Sequence, residues 1–191
     1  MSTPFSRNQD DPRALIPFDD ALLDATVSGA LNSPRHRHIT RFHELPEPFQ
    51  RMLNAIQPES YIRPHRHLDP DKAEMFIALR GSVLVVRYSD NGAPLEGILL
   101  DADGPVRGVE IPIGAWHSLL SIERDTVLFE AKEGPYVEAT DKDFAAWAPP
   151  ESDREAALAY IANLRSHFES LLPELAARDE VEARMGMLGD E

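Results

Sequence analysis

The chain has no cysteine, so no disulfide staples it and no thiolate can hold a metal ion. Any metal must be bound by nitrogen and oxygen donors. It has no apolar run near the roughly 20 residues that a bilayer-spanning helix needs. The N-terminal stretch from Met1 to Asp11 holds no apolar signal core, and a cytoplasmic protein is the default expectation. An excess of basic charge is also missing, since the formal net charge is −14. A chain of that sign repels phosphate backbones, which argues against sequence-independent nucleic-acid binding. There is no internal repeat and no low-complexity segment. What remains is ordinary for a soluble globular protein: 191 residues, 42% hydrophobic and 27% charged. That length supports one domain with a full core plus extra elements, or at most two small ones.

The most informative stretch is His65-Arg66-His67, followed by Glu74 and then Gly81. Residues two apart on a strand face the same way, so His65 and His67 converge. Leu68 to Lys72 carries two Asp and a Pro and reads as a turn. Ala73 to Leu79 is an apolar return strand ending at Arg80-Gly81, and Glu74 near its start supplies a carboxylate to the same point. Ile111-Pro112-Ile113-Gly114-Ala115-Trp116-His117 offers a third imidazole.

Residues 1–16 are polar, punctuated by Pro, and expected to be loose. Residues 17–48 hold a short helix and a basic segment. Leu22, Leu23, Val27, Ala30 and Leu31 follow helical spacing, Asp19 or Asp20 can cap the start, and Asn32-Ser33-Pro34 stops it. This helix is expected to lie across one end of the main domain. Arg35-His36-Arg37-His38 contains a second His-x-His. Its arginines repel a cation and no carboxylate follows at similar spacing, so it reads as a basic segment that binds an anion or an acidic neighbour. His43 reads as a surface or packing residue.

Residues 49–150 form the main domain. Short apolar strands recur over 51–56, 61–67, 73–79, 83–88, 95–100, 106–111, 115–122 and 126–131. Turn-rich segments separate them, including Asn91-Gly92, a strong hairpin signal. Many short strands without intervening helices indicate an antiparallel sandwich or barrel. Phe144 and Trp147 are expected to cover an apolar end of it. Residues 151–191 begin with a helix capped by Ser152 or Asp153, with Ala157, Tyr160, Ile161, Leu164, Phe168, Leu171 and Leu172 at helical spacing. It can dock on the barrel or pair with its copy in a dimer. An acidic helical tail follows from Pro173.

Three imidazoles and one carboxylate around a divalent ion leave one or two coordination positions open. Open positions mark reactive or substrate-binding sites rather than closed structural ones. The expected cofactor is one divalent transition metal ion, Fe, Mn, Ni, Co or Zn, held by His65, His67, Glu74 and His117. The donor set alone does not choose among these metals. The bland alternative is three histidines used for packing or surface hydrogen bonds. His-x-His with a Glu on the next strand and a later Pro-x-Gly-x-x-His argues against it.

These residues resemble a known family. His65-x-His67, Glu74 and Gly81 look like the first cupin motif, and Pro112-x-Gly114-x-x-His117 looks like the second. The segments 51–58, 61–67 and 129–136 resemble more specifically the WbuC group of cupin metalloproteins. That resemblance covers about residues 15–150. It implies a mainly β fold, a cupin-type antiparallel jelly-roll barrel, with the short N-terminal helix and the C-terminal helical extension added. It implies a metal inside one end of the barrel and a link to O-antigen and surface-polysaccharide gene clusters. The chain departs from the general pattern at three points. Glu59 stands where the first motif has Gly, the spacing from His67 to Glu74 is longer, and Ser121 replaces the Asn that ends the second motif. None of the three removes a ligand.

Other candidates follow from strand parity. Tyr61 and Arg63 share the face of His65 and His67 if the strand is regular. Arg63 then holds a substrate carboxylate or phosphate, or a salt bridge at the rim. Tyr61 donates a proton or packs. Glu130, if inward, is a general acid or base or is paired with Arg or Lys. Lys72 reaches the site or is a solvated charge. Trp116 points away from His117 into core or interface. Two function classes remain: a metal-dependent enzyme on a small molecule, of isomerase, epimerase or oxygenase type, and a non-catalytic ligand-binding or scaffold module. The expected partners are a small-molecule ligand and a second copy of the chain, with no nucleic acid and no membrane.

Overall fold

The computed structural model describes residues 14–138 and 141–172. In chain order the elements are α1 (Asp20–Leu31), β1 (Arg37–Arg41), β2 (Phe49–Ile56), β3 (His65–Arg66), β4 (Glu74–Arg80), β5 (Ser82–Tyr88), β6 (Pro94–Asp101), β7 (Gly108–Ile111), β8 (Trp116–Ser121), β9 (Thr126–Glu133), β10 (Asp143–Phe144) and α2 (Arg154–His167), with a single 3-10 turn at Glu169–Leu171. The strands form two five-stranded sheets, ordered β1-β2-β9-β4-β7 and β10-β3-β8-β5-β6. All the paired strands run antiparallel.

The alternation of side chains along each strand divides the apolar residues into three layers. Between the sheets lie Ile56, Phe76, Ala78, Val83, Val85, Leu119 and Leu128. On the outer face of the first sheet, Leu53, Ala55 and Val127 meet Leu23, Val27 and Ala30 of α1. On the outer face of the second, Leu84, Val86, Tyr88, Trp116 and Leu120 meet Ala157, Ile161, Leu164 and Phe168 of α2. Each helix is amphipathic and covers one sheet. The Asp19 side chain caps α1 at the Leu22 amide, 3.0 Å away, and Asp153 caps α2 at the Ala156 amide, 3.1 Å away.

Several sequence expectations change in detail. α1 lies against a sheet face rather than across a barrel end, because its apolar stripe matches the outward residues of β2 and β9. The apolar face of α2 is taken by the barrel. The barrel begins earlier than residue 49, since β1 is an edge strand of the first sheet. Arg37, Ile39 and Arg41 share its cavity-facing side, and the two arginines mask it as a basic segment. The tract 61–67 is not a strand throughout, and β3 holds two residues. Pro64 removes a backbone donor there and restricts the residue before it. Phe144 belongs to the short edge strand β10, while Trp147 packs against the α2-side core. The acidic tail from residue 173 and most of the loose N-terminus lie outside the described residues.

Gly81 joins β4 to β5 with φ +65°, a left-handed turn that glycine adopts without steric cost. A Cβ there would sit 2.6 Å from Thr126 Oγ1. No helix among the described residues is long and apolar enough to cross a membrane.

Candidate metal centre

Two cross-strand pairs build the site. In one sheet His65 on β3 is opposite His117 on β8. In the other, Glu74 on β4 is opposite Lys132 on β9. Directly opposed residues bring their side chains within contact range, and both pairs point into the space between the sheets. His67, just beyond β3, joins them. Gly114, with φ +74°, makes the turn that delivers His117. The donor atoms of His65, His67, Glu74 and His117 all lie within 4.8 Å of one another, and all four residues are buried.

Each imidazole is fixed through Nδ1 by a backbone carbonyl. His65 Nδ1 lies 2.9 Å from the Arg63 carbonyl and His117 Nδ1 2.9 Å from that of Ala115. His67 Nδ1 contacts the Asp141 carbonyl. A carbonyl can only accept, so each Nδ1 carries the hydrogen and each Nε2 presents a lone pair. His67 Nε2 then lies 3.0 Å from Glu74 Oε1, and His117 Nε2 2.9 Å from Glu74 Oε2. Two acceptors facing each other make no hydrogen bond. Accordingly His67 Nε2, His117 Nε2 and Glu74 Oε2 are buried without a partner, a costly arrangement unless a cation fills it. The donor set therefore fits a divalent metal ion.

The charge states agree. Burial, then the positive charge of Lys142, keep His65 well below the usual histidine range, so it stays neutral, the form that ligates metals. Burial pushes the Glu74 carboxyl up. The Lys132 ammonium, the largest opposing influence, draws it down, and Glu74 lies well below the usual carboxylate range.

A second ring of charge supports the first. Lys132 Nζ lies 3.2 Å from Glu74 Oε1, 3.3 Å from Glu130 Oε1 and 3.4 Å from Asp141 Oδ2. Burial alone would lower its affinity for the proton, but the charges of Glu130, Glu74 and Asp141 raise it. Glu130 is inward, and its other oxygen accepts from Asn54 Nδ2 at 2.6 Å. Lys72 Nζ donates to Asp141 Oδ1 at 2.8 Å and to the Pro135 carbonyl at 3.0 Å. Burial opposes the charge on Asp141, but Lys132 and Lys72 overcome it and lower the carboxyl.

The cluster opens onto a cavity of about 560 Å³. Arg63 and Glu130 line it, and so do Asn54 and Lys132, which carried no sequence signal beyond strand parity. Asp141, also missed, comes from a loop and had no sequence signal. Two expected site residues are placed elsewhere. Tyr61 does not reach the cluster. It packs against Tyr160 at 5.8 Å between ring centroids and donates to the Pro149 carbonyl at 2.9 Å, because the irregular backbone before β3 breaks the assumed parity. Lys72 neither reaches the cavity nor meets solvent, being 2% exposed. It anchors Asp141, whose carbonyl orients His67. Trp116 points away from His117 into the α2-side core, with the Arg66 guanidinium 4.2 Å from its ring centroid. His43 is buried and bound through Nδ1 to the Arg51 backbone at 2.8 Å. The second His-x-His is not a ligand pair: Arg35 and Arg37 clasp Glu151 at 2.6 and 2.9 Å.

Comparison with known proteins bears on the fold. A family model described as a domain of unknown function (DUF6016) matches residues 18–100, which include His65, His67 and Glu74 but not His117. No curated protein matches the chain. The capsular polysaccharide assembling protein CapF from Staphylococcus aureus is similar at 22% identity and a TM-score of 0.50, over 59% of this chain and 30% of that one. KdgF from Halomonas sp. is similar at 14% identity and a TM-score of 0.43, over 56% of this chain and 87% of that one. An oxalate decarboxylase variant from Bacillus subtilis is similar at 16% identity and a TM-score of 0.41, over 58% of this chain and 28% of that one. The chain thus spans less than a third of the CapF chain. Together with the two facing antiparallel sheets, the likeness to CapF identifies the fold as a cupin-type jelly-roll barrel.

Proposed function

We propose that this chain is a metal-dependent cupin enzyme of the WbuC type, acting on a small molecule, a sugar or nucleotide-sugar of surface-polysaccharide assembly. The observation that carries the metal reading is the set of buried, partnerless acceptor atoms on His67, His117 and Glu74 facing one point at the cavity wall. The substrate class rests on the resemblance to the WbuC group. His65, His67, Glu74 and His117 would hold one ion of Fe, Mn, Ni, Co or Zn. Such an ion supplies Lewis-acid chemistry, polarising a carbonyl or carboxylate oxygen of the substrate.

The remaining roles belong to the chain itself. Glu130, positioned by Asn54 and Lys132, is the cavity carboxylate outside the ligand set and takes or returns the proton. Lys132 holds Glu74 and Glu130 in ion pairs at 3.2 and 3.3 Å. Ile56, Phe76 and Leu119 give the cavity an apolar wall that excludes water from the substrate body. An open cavity beside the cluster favours the enzyme over a scaffold, whose barrel would be filled.

Elemental analysis of the purified protein beside His67→Ala tests the reading. About one metal per chain in the wild type, absent from a variant with an unchanged circular dichroism spectrum, is the expected result. A wild type that takes up no metal on reconstitution would refute it.

A further inference from the structure

The cavity carries positive charge that the His/Glu cluster does not use. Arg63 lines it from the segment before β3, and Lys142 from the residue before β10. Arg63 Nη2 donates to the Ala145 carbonyl at 2.7 Å, and its guanidinium lies 5.6 Å from the Phe144 ring centroid. Its Nε is buried without a partner, and among the described residues no carboxylate is paired with it. Neighbouring arginines differ. Arg37 is held by Glu151 at 2.9 Å, and Arg66 by Asp143 at 2.9 Å. Arg63 thus keeps guanidinium donors for something else, and a guanidinium fork matches a carboxylate or a phosphate.

The interior charge points the same way. The buried carboxylates of Glu74, Glu130 and Asp141 face two ammonium groups, Lys72 and Lys132, leaving one negative charge in excess. A divalent cation at the cluster reverses that sign. The loaded cavity is then positive overall, with Arg63 and Lys142 adding to it, and an anionic ligand restores balance. The volume of about 560 Å³ and the apolar wall of Ile39, Met52, Ile56, Ile62, Phe76 and Leu119 suit a body of ring size rather than a bare inorganic anion.

We propose that the substrate is an organic acid of ring size, a sugar carboxylate or sugar phosphate. Arg63 binds its anionic group, with Lys142 as a second cation, while its reacting oxygen lies at the His/Glu cluster. The placing of the reacting oxygen rests on the metal-enzyme reading; the anion site on Arg63 does not, since its donors are present with or without the metal.

The test is calorimetric titration of the full chain with D-glucuronate, D-glucose 1-phosphate and neutral D-glucose. Wild type, Arg63→Met, Arg63→Lys and Lys142→Met are compared, each treated with EDTA and again after loading with zinc. At least one acid should bind roughly tenfold or more tighter than glucose, the scale of one charge-assisted hydrogen-bonded pair. The tighter of the two acids identifies carboxylate or phosphate as the recognised group. Arg63→Met should erase the preference for the acid, Arg63→Lys should keep part of it, and Lys142→Met should weaken it less than Arg63→Met. Zinc content and circular dichroism of Arg63→Met should match the wild type. Acids that bind no tighter than glucose, or an Arg63→Met protein that retains the preference, would overturn the proposal. An acid preference in a protein that takes up no zinc would overturn the placing of the reacting oxygen and leave the anion site standing.

Discussion

Replacing Lys132 with Met removes the cation on which the interior carboxylates converge. Met has a similar unbranched reach, so the change deletes charge with little loss of packing. In the wild type the ammonium lies 3.2 Å from Glu74, 3.3 Å from Glu130 and 3.4 Å from Asp141. Without it, Asp141 retains Lys72 at 2.8 Å and Glu130 retains Asn54 at 2.6 Å. Glu74 retains imidazole lone pairs and no cation. Breaking a buried ion pair by deleting one partner costs about 3–5 kcal/mol, because the other charge stays buried and unpaired. The same range is expected here. With a urea slope of about 2 kcal/mol/M for a domain of this size, the unfolding midpoint of the EDTA-treated protein at pH 7 should fall by about 1.5–2.5 M. A divalent metal should restore part of the loss, since it places positive charge beside Glu74. A ligand at a hundred times its dissociation constant adds about 2.7 kcal/mol. The reasoning fails if Lys132→Met shifts the midpoint by less than about 0.5 M, or if metal stabilises the variant no more than the wild type.

Three further outcomes are expected. His65 is held neutral below the usual histidine range, so the unfolded chain binds a proton there that the folded chain does not. Stability of the EDTA-treated protein should therefore be full above about pH 6.5 and fall by up to about 1.4 kcal/mol per pH unit below it. Urea titrations at several pH values should show that component missing from His65→Gln. Gly81→Ala should cost about 2 kcal/mol, since a left-handed conformation penalises a side chain by about 1–2 kcal/mol and the new Cβ would meet Thr126 Oγ1 at 2.6 Å; a melting temperature equal to the wild type would contradict this. Leu164→Ala should cost about 2–5 kcal/mol through the cavity left between α2 and the second sheet, and unchanged thermal unfolding would show that α2 is not docked as described.

The four residues of the His/Glu cluster were legible in the sequence because each sits in a short motif whose geometry is local. His65 and His67 are separated by one residue, Glu74 follows a turn, and His117 follows the Gly114 turn. The strands were legible for a similar reason: their apolar alternation is set by burial on the inner faces. What was not legible depended on contacts between distant segments. Strand parity points Tyr61 inward only along a continuous strand, and the backbone around Pro58 and Pro64 breaks that continuity. The place of Lys72 in its turn does not choose between site and solvent, and its pairing with Asp141 depends on a partner far along the chain. Asp141 itself carries no periodic or motif signal. β1 escaped because an edge strand with arginines facing the cavity does not look like a buried strand.

Lys132 shows where the boundary lies. Its parity with Glu130 on β9 was available from the sequence, but a strand read as ending at residue 131 left it out. Its function in the site follows from register rather than from identity. Lys132 is opposite Glu74 across β4 and opposite Gln50 across β2, while Glu130 is opposite Phe76 and Met52. A shift of one residue in either pairing would turn Lys132 and Glu130 to the α1 side of the sheet. There the apolar layer of Leu53, Val127 and α1 offers no partner for either charge, and Glu74 would be left beside the imidazoles without a counter-ion. The electrostatics of the site thus penalise misregister of the first sheet, in addition to the apolar layers on its two faces. That coupling is why the interior charges, though costly to bury one by one, are compatible with a single well-defined barrel.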